Sequence, residues 1–297
     1  MCDRENKRYY FIMNPGSRGG RSGKRLDIIH EFLTKAGFDY NYGVTTSLND
    51  AFVLSVKANL SDYDIIVAVG GDGTINRVIN GFYNRDGTRL SEAKFGVIYT
   101  GTSPDFCKSY NIPLSAMEAV NALAKGKLKS IGIGRIEFEN DIKYFACCAN
   151  IGLGAELARN ANGGIRKLFG DKAGTFLALI KTICRFKPIA VKLNSQDLEH
   201  IYNISVGKTY YIASGLKIKN NLEAADKHFY VLKIQEKPLR FVKKMYSGDE
   251  LELDYESTIT ITGHGEVEYD GDDGGCLPCA ITSAENLEVI YDGEGID

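Results

Sequence analysis

The chain has 297 residues, of which 44% are hydrophobic and 25% are charged, and this is the composition of an ordinary globular protein. Its net charge of −2 lacks the basic excess of a general nucleic-acid binder, so we expect no nucleic-acid partner. No apolar run approaches the roughly 20 residues of a membrane-spanning helix, and the first residues lack the apolar core of a signal peptide. Seven cysteines at irregular positions indicate reduced thiols. We therefore expect a cytoplasmic protein.

The first part of the chain alternates strand and helix signals. Residues 8–13 predict a strand, which a glycine-rich loop and an amphipathic helix over 26–36 follow. Residues 64–69 are a continuous apolar run before two glycines, typical of a buried parallel strand. Further signals predict a helix at 75–82, a strand at 95–99 and a helix at 115–126. This alternation predicts a parallel sheet with helices on both faces.

Beyond residue 129 strand signals dominate, apart from a helical region at 165–186. The predicted strands are 189–194, 200–206, 208–214, 229–235, 257–262, 265–269, 277–282 and 287–291. Their closely spaced turns predict a mostly antiparallel second domain. With the basic stretch 125–129 as a linker, we expect an α/β domain over 1–128 and a β-rich domain over 129–297. Whether the last strand returns to the first domain is left open.

The glycine-rich loops do not match two familiar nucleotide motifs. The segment 16–25 has Arg18 where a Walker A loop needs its first glycine, and Arg25 where it needs Ser or Thr. The segments that begin at Gly70 and Gly152 lack the third small residue of a dinucleotide fingerprint. The chemistry of these loops must therefore be argued from their own residues.

The segment GGDGT (70–74) follows a buried strand and begins a helix. A helix N-terminus attracts phosphate, and glycines allow the backbone to come close to it. A carboxylate at Asp72 would repel phosphates unless Mg²⁺ bridged them. A plain capping turn is the alternative. Polar loops at Asn14, Thr45 and Thr102 follow other predicted strands, and four such loops at one sheet edge favour a nucleotide crevice.

Five segments together carry a family resemblance. They are NPGSRGG (14–20), VGGDGTINRVING (69–81), GTSPDFCKSYNIP (101–113), NIGLGAELA (150–158) and YDGDDGGCLP (269–278). In order and spacing the chain resembles the bacterial diacylglycerol kinase family, which is related to sphingosine kinases and NAD kinases. The resemblance implies an α/β, NAD kinase-like nucleotide domain with a parallel sheet, a mostly antiparallel β domain, and an active site between them. It also implies an ATP- and Mg²⁺-dependent lipid kinase.

The same resemblance implies roles for individual residues. The ATP-binding set would be Asn14, Thr45, Gly70, Gly71, Asp72, Gly73, Thr74, Asn76 and Thr102. Asp72 and Asp105 would belong to a magnesium network, and Asp72 would also take part in catalysis. A second metal would be held by Asp226 with the backbone carbonyls of Glu223 and His228. Asp272 would be the general base.

Several residues depart from the family pattern. Asp272 stands in place of a glutamate, with Asp273 beside it as a substitute. Arg77 replaces an acidic residue, Pro104 an asparagine, Gly132 an aspartate of the magnesium network, and Lys227 a glycine. These departures leave two alternatives to a diacylglycerol kinase open. One is an NAD kinase-like kinase of a small metabolite, and the other is a weakened, nucleotide- or lipid-binding regulator.

The substrate implied by the resemblance is a lipid at a membrane surface. Basic side chains near a membrane each contribute about 1 kcal/mol of attraction to anionic lipid. Two clusters are candidates for peripheral contact at the inner face of the membrane, and a solvated charged surface is the alternative for each. They are Lys181, Arg185, Lys187 and Lys192, and Arg240, Lys243 and Lys244. Whether the protein forms a homodimer is left open.

Overall fold

The computed structural model describes residues 7–16, 23–160, 182–183, 185–212, 216–247 and 251–293. The glycine-rich loop over 17–22 lies outside the described residues. So do most of the helix predicted at 165–186 and Lys181 of the first basic cluster.

The helices among the described residues are α1 (Gly23–Lys35), α2 (Leu48–Asn59), α3 (Asp72–Asn80), α4 (Asp105–Tyr110), α5 (Ala116–Lys125), α6 (Leu153–Asn160) and α7 (Pro238–Ser247). The first strands are β1 (Tyr9–Met13), β2 (Tyr40–Val44), β3 (Ile65–Gly70), β4 (Lys94–Tyr99), β5 (Leu128–Ile131), β6 (Gly134–Phe138), β7 (Ile142–Phe145) and β8 (Cys148–Gly152). The remaining strands are β9 (Ile189–Leu193), β10 (Gln196–Ile201), β11 (Asn203–Gly207), β12 (Tyr211–Ile212), β13 (Leu216–Lys217), β14 (Phe229–Ile234), β15 (Asp254–Glu256), β16 (Thr258–Gly263), β17 (Glu266–Tyr269), β18 (Asp272–Cys276), β19 (Cys279–Ser283) and β20 (Leu287–Ile290).

The first sheet has the strand order β2-β1-β3-β4-β20-β5. Every pairing in it is parallel except that of β20 with the edge strand β5. All six residues of β3 are buried, as expected for a central strand covered on both faces. The last strand of the chain, β20, therefore lies inside the sheet that the first residues build.

The other two large sheets have the orders β10-β9-β16-β19-β6-β7 and β15-β14-β11-β8-β17-β18, with antiparallel pairings. One hydrophobic core takes side chains from both, including Ile136 and Ile261 from the first and Ile151 and Val231 from the second. The two sheets therefore pack as a β-sandwich. The prediction of an α/β sheet followed by antiparallel β structure is confirmed in this coarse form.

The structure differs from the predicted strands in several places. The strand predicted over 200–206 is split at Tyr202 between β10 and β11. His200, with a positive φ of 58°, lies at an irregularity in the pairing of β10 with β9. The segment 128–152 forms four strands that the sequence did not predict, β5 to β8, and the first of them, β5, belongs to the first sheet. The strand β18 has the sequence DDGGC, whose residues have low strand propensity, and it is held by pairing with β17. Across the described ranges, no helix is both long and apolar enough to cross a membrane.

Candidate functional site

The polar loops of the first sheet meet at its carboxyl edge. Asn14 follows β1, and its side-chain amide donates to Thr74 Oγ1 at 2.8 Å. Thr45 follows β2, is buried, and its backbone N–H donates to the carbonyl of Met13 at 2.9 Å. Thr102, in the loop after β4, is exposed. The loops predicted to line one crevice therefore do lie at one edge.

The turn after β3 needs its glycines because neighbouring atoms lie very close. A Cβ on Gly70 would lie 2.4 Å from Oγ1 of Thr74. A Cβ on Gly101, in the next loop, would lie 2.6 Å from the Cα of Gly71. A Cβ on Gly73 would meet no heavy atom within 4 Å, so the first turn of α3 faces open space. The two loops thus touch backbone to backbone beside this open space.

Asp72 begins α3, and its side chain is held by Tyr99, the last residue of β4. The Tyr99 hydroxyl donates to Oδ2 of Asp72 at 2.8 Å and accepts the backbone N–H of Ser103 at 2.7 Å. Burial raises the pKa of Asp72 to about 6, and the neighbouring carboxylate of Asp105, at the start of α4, also raises it. Two carboxylates close enough to oppose each other's ionisation favour a cation between them.

The chemistry of Asp72 and Asp105 fits Mg²⁺. This ion keeps several water ligands and is usually held by one or two carboxylates together with substrate phosphates. No group of three or more His, Cys, Asp or Glu side chains in the described part of the chain is arranged to hold a metal. The pair would therefore hold the ion together with a phosphate ligand, and not as a closed protein site.

Asp272, the predicted base, connects the sandwich to the first sheet. It begins β18, is 6% exposed, and its Oδ2 accepts Nε of Arg77 at 2.8 Å. The side-chain amide of Asn76 donates to the same oxygen at 3.3 Å. Asp273, the substitute considered above, is exposed. Arg77 of α3 thus pairs with Asp272 of the sandwich.

Sequence reasoning missed Asp270, which is buried near the same crevice. Its carboxylate accepts the backbone N–H groups of Ala146, Cys147 and Cys148 at 2.7 to 2.9 Å. Burial raises the pKa of Asp270 to about 7, and the charge of Asp72 adds to the rise. Asp270 and Gly271 have φ angles of 47° and 88°, as in a two-residue hairpin. An Asp-Gly pair between strand-like segments was the available signal.

A second missed residue, Glu268, is buried in a polar network within the sandwich. Its side chain accepts the amide of Asn150 at 2.7 Å and the backbone N–H of Gly271. Ser205 Oγ donates to Oδ1 of the same Asn150 at 2.6 Å. Burial raises the pKa of Glu268 to about 8. Glu268 therefore holds the hairpin that leads to Asp272.

Two of the three residues predicted to hold a second metal, Asp226 and His228, contact the side chain of Lys208. The backbone carbonyls of Asp226 and His228 accept hydrogen bonds from Nζ of Lys208 at 2.7 and 3.1 Å. The Asp226 carboxylate accepts the backbone N–H of His228 at 2.9 Å, and the Glu223 carbonyl accepts the N–H of Asp226 at 3.1 Å. A cationic side chain therefore lies against two of the predicted ligand residues.

The fold joins a mostly parallel sheet to an antiparallel β-sandwich, and acidic and glycine residues lie together at the carboxyl edge of the parallel sheet. Residues 8–136 match the family model of the diacylglycerol kinase catalytic domain. The chain is 29% identical over 188 residues to the diacylglycerol kinase of Bacillus subtilis strain 168. The matched segment covers 63% of this chain and 59% of that protein. It is 31% identical over 153 residues to a diacylglycerol kinase of Staphylococcus aureus strain MRSA252, which covers 52% of this chain and 45% of that protein.

Solved structures share the fold over nearly the whole chain. The structure matches a diacylglycerol kinase from Bacillus anthracis Sterne with a TM-score of 0.72 and 19% identity, over 98% of both chains. Another protein from this organism gives a TM-score of 0.77 and 22% identity, over 98% of this chain and 99% of that one. At these identities the likeness shows the fold alone.

These findings show a likeness to diacylglycerol kinases that is concentrated in residues 8–136. The match to the curated relatives spans about three fifths of their length or less.

Proposed function

We propose that this protein transfers the terminal phosphoryl group of ATP to a hydroxyl group of diacylglycerol or a similar membrane lipid. We also propose that its first domain shares the nucleotide-binding architecture of NAD kinases, and that residues up to 131 together with β20 form this domain. The observation that carries the proposal is the position of Asp72. It lies at a strand-to-helix turn that opens on a crevice, beside Asp105 and within the field of Asp270.

The nucleotide phosphates would lie at the first turn of α3. The N–H of Thr74 already donates to the carbonyl of Gly71 at 2.9 Å, so we assign phosphate contacts to the preceding amides of Gly71 and Gly73. Open space beside Gly73 supports this assignment. Asn14 contacts Thr74 and would fix the polar edge of the crevice, with Thr45 and Thr102 in the adjoining loops. A helix N-terminus favours the negative charge of phosphate.

Asp72 and Asp105 would hold Mg²⁺ beside the phosphates. When bound, this ion neutralises charge on the transferring group, and positioning and charge neutralisation are the main requirements of phosphoryl transfer. The Tyr99 hydroxyl keeps Asp72 directed toward the crevice. A cation beside Asp72 would offset the cost of burying its charge and lower the pKa that burial has raised.

Asp272 would accept the proton of the lipid hydroxyl. Arg77 and Asn76 both donate to Oδ2, so we assign proton acceptance to Oδ1. Arg77 would also place a fixed positive charge where negative charge develops during transfer. The Glu268 contact with Gly271 supports the loop that carries this base.

The ion pair between Arg77 and Asp272 also favours the second candidate, a weakened regulator. A carboxylate committed to a guanidinium is a poorer proton acceptor than one facing solvent. A regulator of this kind would bind nucleotide without turning over any lipid.

The decisive experiment measures transfer of labelled phosphate from ATP to diacylglycerol in anionic vesicles, with NAD and a total lipid extract as other acceptors. We expect lipid phosphorylation that Asp72→Ala abolishes. Since a general base contributes about 10²–10⁴ in rate, Asp272→Asn should reduce turnover by that order while ATP binding is retained. Asp273→Asn, at the exposed neighbour, is the matched control and should keep its activity.

Full lipid kinase activity of the Asp272→Asn protein would remove this residue from the mechanism. Phosphorylation of NAD in place of lipid would support the small-metabolite alternative. ATP binding without transfer to any acceptor would support the regulator.

A further inference from the structure

A buried lysine lies where the chain passes between the first sheet and the sandwich. Lys208 follows β11, is 6% exposed, and directs Nζ at the carbonyls of Asp226 and His228, at 2.7 and 3.1 Å. Its Nζ also lies 4.1 Å from the ring centroid of Phe229, which is the geometry of a cation–π contact. An ammonium has three N–H donors and no acceptor, so these partners suit its charged form.

The carbonyls belong to a segment over 223–228, which we call the hinge loop. The N–H of Gly132, at the first passage between the sheets, donates to the Ala224 carbonyl at 2.6 Å. At the second passage, Ser283 Oγ donates to the Lys227 carbonyl at 2.6 Å, and the Asn286 amide donates to the Ala225 carbonyl at 3.1 Å. The hinge loop therefore joins both passages.

We infer that the Lys208 ammonium is a built-in cation that holds the hinge loop in place of a metal ion. The inference goes beyond the proposed kinase activity and does not depend on it. The close packing around Gly132 supports it. A Cβ there would lie 2.5 Å from the Asp226 carbonyl oxygen and 3.0 Å from Nζ of Lys208.

The position of Nζ of Lys208 disfavours a divalent ion at the same carbonyls. A divalent ion bound to the carbonyls of Asp226 and His228 would lie within a few ångström of Nζ, and like charges at such distances repel strongly in a buried site. The ammonium and a divalent ion would therefore compete at the His228 carbonyl, which is the predicted metal ligand that Lys208 contacts. With Lys208 in place, the hinge loop needs no divalent cation.

The test compares metal content and thermal unfolding, without nucleotide, in the presence of EDTA, Mg²⁺ or Ca²⁺. We expect the wild-type protein to retain no stoichiometric divalent metal after dialysis and to unfold at the same temperature in all three. The Asp72→Asn, Asp105→Asn protein is measured in parallel, because any cation effect at the crevice is absent from it. The Lys208→Met protein should unfold at a temperature about 5 °C or more lower, since two charge-assisted hydrogen bonds are lost.

Lys192→Met is the matched control, because Lys192 is an exposed lysine in β9 of the same sandwich and its loss should leave the unfolding temperature unchanged. A bound divalent ion that the Asp72→Asn, Asp105→Asn protein still retains would overturn the inference. So would a Lys208→Met protein as stable as the wild type. If the Lys208→Met protein does not fold, the inference is tested by the metal content and unfolding temperature of the wild type in EDTA, Mg²⁺ and Ca²⁺.

Discussion

The ion pair between Arg77 and Asp272 should connect α3 of the first sheet to β18 of the sandwich energetically. The perturbation is a double-mutant cycle with Arg77→Met and Asp272→Asn, in which methionine keeps most of the apolar length of the arginine. The cycle isolates the pairwise contribution because the separate losses of each side chain cancel.

The geometry sets the expected magnitude. Nε of Arg77 and Oδ2 of Asp272 are 2.8 Å apart. Counted over the side-chain atoms alone, Arg77 is 29% exposed and Asp272 is 9% exposed. A hydrogen bond to a charged group contributes about 1.5–3 kcal/mol, and the partial exposure of Arg77 weakens it through solvent screening. We therefore expect a coupling free energy of about 2 kcal/mol.

The assay is urea unfolding followed by far-ultraviolet circular dichroism, since the chain has no tryptophan for fluorescence. The control cycle uses Glu31→Gln and Lys35→Met, a pair at 2.6 Å whose side chains are 58% and 70% exposed. Exposed pairs of this spacing contribute about 0.3–0.5 kcal/mol. A coupling for Arg77 and Asp272 no larger than that of the control would refute the claim that this pair joins the two parts of the protein.

Two further predictions concern the buried carboxyl and the glycine contact. Burial raises the pKa of Glu268 from 4.5 to about 8, so the folded protein binds one more proton than the unfolded chain between pH 4.5 and 8. The stability that this protonated carboxyl contributes is therefore full below pH 4.5 and is lost as the pH rises through 8. Between about pH 5 and 8, the unfolding free energy of the wild type should therefore fall on the order of 3 kcal/mol further than that of Glu268→Gln. Unfolding free energies from urea that change equally with pH in the two proteins would contradict this. Gly101→Ala should lower the unfolding free energy by about 1–3 kcal/mol, since its Cβ meets the Gly71 backbone. Gly73→Ala, which enters open space, should change thermal unfolding little, and equal effects of the two substitutions would count against the contact.

The local parts of the fold were predictable because their signals are local. The buried run that became β3 and the apolar face that became α3 each lie within a short window. The rule that ligands bind beyond the carboxyl ends of parallel strands then brought Asn14, Thr45 and Asp72 to one edge. The family resemblance directed attention to Asp272, and the structure places this residue against α3.

The parts that could not be predicted depend on contacts between distant segments. Arg77 and Asp272 are 195 positions apart, and nothing near either residue indicates the other. Lys208 has no periodic pattern that marks it as buried, and its partners lie in a loop without strand or helix signals. Asp270 was missed for a different reason, because its role consists of accepting backbone N–H groups that any sequence would supply.

The position of β20 affects how the chain can reach its final state during synthesis. The strand lies between β4 and β5, yet residues 287–290 leave the ribosome only after the whole sandwich has been made. Until then β4 and β5 have no strand between them, and their backbone N–H and C=O groups are unpaired on the sides that will face β20. Unpaired strand edges of this kind can pair with another chain. The segment 8–136, although it matches a recognised catalytic domain, therefore lacks an interior strand and is a poor candidate for independent expression.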